Sequence, residues 1–176
     1  MPPLSASERT RLADRAARLP WIAPATPRRR PAVAHPLGVQ TLLVTLADGK
    51  RVRLARQRSA RVFQFDHARG LARRLDLTMP AMELLGSIPL SSVHLPLNET
   101  ERRWAHARVM AAQPSIGAGE RWSAFVHEPV HPDEVCRRER CALVSRHGPD
   151  GEVLAGESVV HFADGRVHDL VSADPR

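Results

Sequence analysis

Several side chains in this sequence have the type and surroundings for proton-transfer chemistry. His106 lies between two alanines and close to Trp104. In a strand it would share a face with Trp104 and Arg108, as one wall of a pocket. Asp66 and His67 are adjacent at what reads as the start of a helix, where they could supply a general base or an acid–base pair. Glu157 stands among small and apolar residues, and a desolvated carboxylate can exchange protons near neutral pH. Each has a plainer reading: a capping Asp beside an exposed His, a surface His, and a solvent-facing Glu.

A second group has the chemistry of phosphate binding. Arg51, Arg53, Arg56 and Arg58 fall in one hairpin, and Arg28-Arg29-Arg30 precede it. Together they form a basic face for phosphate or, more plainly, a solvated surface. Nucleic acid is disfavoured as the source, because the chain has no Tyr, four Phe and three Trp, too few for stacking platforms. His127, His131, Cys136 and Cys141 are all zinc-ligand types. Their spacing matches no standard finger or ribbon, so no metal is expected. On an extended strand Cys136 and Cys141 would point to opposite faces and lie too far apart to bond to each other.

These residues need a scaffold. With 176 residues, 43% apolar and 26% charged, the chain can build a packed domain. No apolar run is long enough to span a bilayer, no signal-peptide core follows Met1, and two cysteines make no disulfide framework. A cytoplasmic location and no membrane contact are therefore expected. The formal charge of +7 arises in the first 76 residues; residues 77–176 carry ten basic and fourteen acidic side chains. Apart from Lys50 every Lys or Arg is Arg, a bias that GC-rich coding alone can produce.

Ser5 and Glu8 have capping-box spacing, and Leu12, Ala16 and Leu19 form a stripe, so residues 5–19 read as a helix. Prolines 20, 24, 27, 31 and 36 make 20–36 a surface strap, and removal of residues 1–36 should leave a soluble, folded domain. A hairpin follows, with Thr41–Leu46, the turn Asp48-Gly49, and Arg51–Arg58, which 61–65 could extend. Residues 67–77 carry a helical stripe of Ala68, Leu71, Ala72 and Leu75 behind an Asp66 cap. A short helical turn over 78–85 ends at Gly86. Residues 99–112 fit either a helix capped by Asn98 or a long strand. Strands are expected at 119–126, 135–145 and 152–162, and a turn at Asp164-Gly165 leads to a tail. No internal repeat is legible. The organisation expected is an N-terminal helix and strap over 1–36, an α+β domain over 37–170, and a tail over 171–176. In that domain one antiparallel sheet wraps around one main helix.

The segment Trp104-Ala105-His106-Ala107-Arg108-Val109, then Gln113-Pro114, then Gly119-Glu120-Arg121-Trp122, and the hairpin Asp150 to Glu157 resemble the C-terminal meander of the hotdog fold. That fold is shared by MaoC-like dehydratases and thioesterases, and Phe65–Leu77 resembles the helix that its sheet wraps. The resemblance implies a strand at 104–112 and a homodimer with an acyl pocket at its interface. It also implies an acyl-thioester substrate, carried by coenzyme A or an acyl carrier protein, with no other tightly bound cofactor. Dehydration, hydration or hydrolysis of the thioester, with His106, Glu157, Asp66 and His67 as candidate catalytic groups, would be the enzyme reading. The hydratase pattern Gly-Asp-x-Asn-Pro-x-His is absent, which leaves a non-catalytic ligand-binding or subunit role as the rival. Val52–Val62 and Arg140–Val160 are similar, more distantly, to the hairpins of chorismate lyase and its ligand-binding relatives.

Overall fold

In a computed structural model the chain divides into two compact units, residues 1–92 and 93–176. The structure describes residues 3–21, 35–46, 58–90, 95–113, 121–127, 135–152 and 156–170. The class is α+β, as the sequence indicates, but with two four-stranded antiparallel sheets rather than one. Among the described residues, each unit has one α-helix and one four-stranded meander whose strands pair in chain order.

In the N-terminal unit the helix α1 spans Ala6–Arg18. Ser5 and Glu8 close a complete capping box, and Leu12 and Ala16 are buried. The strands are β1 (Val39–Leu46), β2 (Ser59–Asp66), β3 (Leu71–Thr78) and β4 (Leu84–Leu90). Alternate residues of β2 and β3, Ala60 and Val62 with Leu75 and Leu77, meet Leu4, Leu12 and Ala16 in one core cluster. The helix is therefore part of this unit's core and not an appendage to it. The hairpin over Arg51–Arg58 lies, but for Arg58, outside the described residues, as does most of the proline strap; β1 pairs instead with 59–66.

Arg73 on β3 is buried, and its guanidinium sits at the C-terminal end of α1. It donates to the carbonyls of Ala16 at 2.9 Å, Leu19 at 3.1 Å and Pro20 at 2.7 Å. It also bonds Gln64 Oε1 at 2.9 Å and lies 4.1 Å from the centre of the Trp21 ring. A cation there satisfies the carbonyls a helix leaves unpaired and complements its dipole.

The main helix expected over 67–77 is absent: that stretch is a turn followed by β3. Asp66 accepts the Arg69 N–H at 3.1 Å, and Gly70 takes φ +62°, so the chain reverses where a helix cap was expected. Arg61 faces Asp76 across the ladder at 3.0 Å, which uses a strand register and not a helical stripe. The helical turn expected over 78–85 is likewise a tight reversal with a cis Met79–Pro80 bond, and Gly86 lies within β4.

In the C-terminal unit α2 spans Glu99–Ala112, followed by β5 (Arg121–Val126), β6 (Cys141–His147), β7 (Glu157–His161) and β8 (Val167–Leu170). Three neighbouring antiparallel strands thus overlap the expected segments, β5 and β7 lying within theirs and β6 starting later and ending two residues beyond 145, while 104–112 is helix and not strand. Asn98 and Glu101 form its capping box. Glu101 is fully buried and is met by Arg140, Nε to Oε1 at 2.7 Å and Nη2 to Oε2 at 3.0 Å. Arg140 also donates to the carbonyls of Leu95 and Pro96. Residues 135–137 form a 3₁₀ turn rather than the start of a strand. This brings the Cα atoms of Cys136 and Cys141 to 5.5 Å, and the two form the disulfide that an extended chain would forbid. The expected tail after Gly165 contains β8, paired with β7.

The two units repeat one plan, contrary to the reading of the sequence. Pro3-Leu4-Ser5 with Glu8-Arg9 corresponds to Pro96-Leu97-Asn98 with Glu101-Arg102, and the buried Leu12 and Ala16 correspond to Ala105 and Val109. Arg58 precedes β2 and pairs with Glu8 at 2.7 Å; Arg140 precedes β6 and pairs with Glu101 at 2.7 Å. The buried Ala60 and Val62 match Ala142 and Val144. Backbone bonds match as well. Met79 N–H donates to Arg58 O and Phe162 N–H to Arg140 O; Thr78 bonds Glu83 O and His161 bonds Arg166 O. The third of these bonds closes on Met82 (φ +57°) in one unit and Gly165 (φ +74°) in the other.

Candidate functional site

Along α2, Glu99, Arg102, Arg103 and His106 are spaced i, i+3, i+4 and i+7, so the helix presents them on one face. They line a groove of about 320 Å³ whose other wall is Trp122, Ser123, Ala124 and Phe125 of β5 with Val144 of β6. The His106 ring lies 5.2 Å from that of Trp122, and the Arg146 guanidinium lies 5.5 Å from the Trp122 ring. His106 Nε2 is buried and has no hydrogen-bond partner among the described residues. Glu99 pairs with Arg103 at 2.9 Å and with Arg102 at 3.4 Å, but all three side chains are exposed. Such surface pairs are weak, so the guanidiniums can turn to an incoming anion at little cost. Phe125 is 60% exposed beside them. The corresponding positions of α1 are Ala6, Arg9, Thr10 and Ala13, so the acidic, basic and imidazole groups together distinguish this helix from its counterpart.

Among the described residues, the groove takes only one of the candidate acid–base side chains singled out from sequence. His106 is in it. Glu157 begins β7 and accepts from Ser145 Oγ at 2.8 Å, outside the groove lining. Asp66 and His67 belong to the N-terminal unit. Asp66 Oδ2 lies 3.7 Å from Arg69 Nε, and the buried His67 stacks on His35 at 5.0 Å. Arg51, Arg53 and Arg56 lie outside the described residues, as do Arg28, Arg29, Arg30 and His131. Arg58 is engaged by Glu8 and the Pro3 carbonyl. The basic groups beside His106 are Arg102 and Arg103, and the helical reading of 99–112 would have placed them on its face.

Ser123, one of the groove's lining residues, has its Oγ 2.7 Å from His147 Nε2, a serine–imidazole pair that sequence reading missed because its members sit on different strands. Ser145, opposite Ser123 in the ladder, carries the bond to Glu157. Cys141 Sγ lies 3.8 Å from His161 Nδ1. Burial holds the His161 imidazole below its ordinary pKa, the nearby His168 adds to this, and Asp164 opposes it.

No protein-family model matches this sequence, and no curated protein matches it. No helix among the described residues is long and apolar enough to cross a membrane.

Proposed function

We propose that the C-terminal unit is a binding module for an organic anion with an apolar body, namely an acyl thioester of coenzyme A or of carrier-bound phosphopantetheine. The observation that carries this reading is the groove: a volume at the low end for small-molecule sites, an aromatic wall, two arginines at its margin and an unpartnered imidazole nitrogen. Trp122 and Phe125 would take the apolar arm, His106 would donate to or accept from the thioester region, and Arg102 and Arg103 would meet phosphate. The hotdog resemblance supports the reading through β5, β6 and β7, which follow one another as that meander does; α2 stands where the pattern has a strand. A homodimer belongs to the same reading, and the exposed Leu84, Leu85 and Ile88 on the edge strand β4 offer it an apolar border.

Calorimetric titration with acetyl- and longer acyl-coenzyme A tests it. Binding should weaken with salt, and Arg102→Ala with Arg103→Ala should weaken it further and flatten the salt dependence. Absence of any binding at about 1 mM ligand, equivalent to about −4 kcal/mol, overturns the proposal. Binding of an aromatic carboxylate in its place would favour a chorismate-lyase-like module.

A second reading, thioester hydrolysis, rests on the Ser123–His147 pair. Ser123 would attack the thioester carbonyl while His147 takes its proton and returns it to the departing thiolate; water would then release the acid. Loss of thioesterase turnover in both Ser123→Ala and His147→Ala is its expected signature. Turnover that survives both substitutions rejects it.

A further inference from the structure

We infer that the Cys136–Cys141 disulfide masks a thiophilic metal site, which reduction opens as a Cys₂His set completed by His161 and suited to Zn²⁺. The two sulfurs and a His161 ring nitrogen lie within 4.8 Å of one another, and all three residues are buried. In a tetrahedral zinc centre, bonds of about 2.3 Å to sulfur and 2.0–2.1 Å to nitrogen place S···N at about 3.6 Å and S···S at about 3.8 Å. Cys141 Sγ and His161 Nδ1 already stand at 3.8 Å. Only the Cys136 sulfur has to move, and it is carried by a single 3₁₀ turn rather than by the sheet.

Charge and architecture agree with this assignment. Two thiolates and one neutral imidazole cancel a divalent ion, so the loaded site buries no net charge. Cys141 and His161 are direct partners across β6 and β7, which gives two ligands a fixed separation. The equivalent partners in the N-terminal unit are Ser59 and Thr78, so that unit holds only hydroxyls where this one holds metal-binding groups. His168 packs its ring edge-on 5.0 Å from that of His161, at the margin of this set.

The switch balances as follows. A dithiol reductant supplies two electrons and two protons, the S–S bond breaks, two thiols form and the reductant leaves as its own disulfide. Metal binding then releases both thiol protons to solvent.

The test uses the full chain, oxidised and reduced, titrated with Co²⁺ alone and then with Zn²⁺. Reduced protein should show thiolate-to-cobalt charge-transfer absorption saturating at one ion per chain and abolished by Zn²⁺, and oxidised protein should show none. His161→Gln should weaken binding by more than the ~10–100-fold that even an outer-shell partner is worth. Should that variant fail to fold, X-ray absorption of zinc-loaded reduced wild type decides, with two sulfurs and at least one nitrogen expected. No cobalt–thiolate band in reduced protein, cobalt binding by His161→Gln equal to wild type, or a zinc shell without nitrogen overturns the inference.

Discussion

The side chains that organise this molecule most strongly are two buried arginines. Arg73 gathers the end of α1, and Arg140 holds the start of α2 through Glu101. Neither role was legible, because an arginine in a strand-forming segment reads as solvent-facing until its carbonyl and carboxylate partners are placed. The Asn98 cap, by contrast, could be read from local spacing alone. Glu101→Ala should leave Arg140 charged and buried beside an empty site, at a cost of about 3–5 kcal/mol in denaturant unfolding. Glu8 is the less buried counterpart. The Ser5 backbone N–H does most to hold its carboxyl below the ordinary 4.5; desolvation opposes it, and the Ser5 hydroxyl and Arg58 add to the lowering. A carboxyl lowered on folding stabilises above its unfolded pKa and loses that contribution as pH falls through the folded one. Thermal melts should therefore show a decline below about pH 4.5 that Glu8→Gln flattens.

Among the elements, the sequence reading was right where one periodicity dominated and wrong where two were satisfied at once. Residues 5–19 and the strand at 121–126 belong to the first kind. The stripe at 68, 71, 72 and 75 belongs to the second: Leu75 and Leu77 also alternate as a strand, and Gly70 with the Asp66 side chain settles the matter by forming a turn. For Cys136 and Cys141 the sequence implies an extended geometry that the 3₁₀ turn does not have. The turn between β7 and β8 depends on Gly165, where φ is +74° and an added Cβ would meet Arg108 Nε at 3.0 Å. Gly165→Ala should therefore destabilise the protein by about 1–2 kcal/mol from backbone strain, measurable as a lower denaturant midpoint with an unchanged slope.

For the whole molecule, the repeat changes what truncation should do. The sequence suggested that residues 1–36 could be removed. Leu4, Leu12 and Ala16 instead complete the N-terminal core, so deletion should abolish native circular dichroism and amide protection in residues 37–92. Leu12→Ala alone should cost about 2–5 kcal/mol. The repeat was hidden because its matches are sparse: a Pro-Leu before each cap, a Glu three residues into each helix, an Arg before each second strand. They align only once helices and strands are known, and at different spacings in each.

The order of the strands also has a kinetic meaning. Every described strand pairs with its neighbour in sequence, so the pairings within each sheet are local along the chain, which favours rapid folding. Yet β2 and β6 are preceded by the same arginine and share the inward Ala-x-Val, with a partner glutamate waiting in each helix. In a half-folded chain, or between two such chains, one strand can take the other's berth. Refolding yield should consequently fall as protein concentration rises, with exchanged-strand dimers as the competing product.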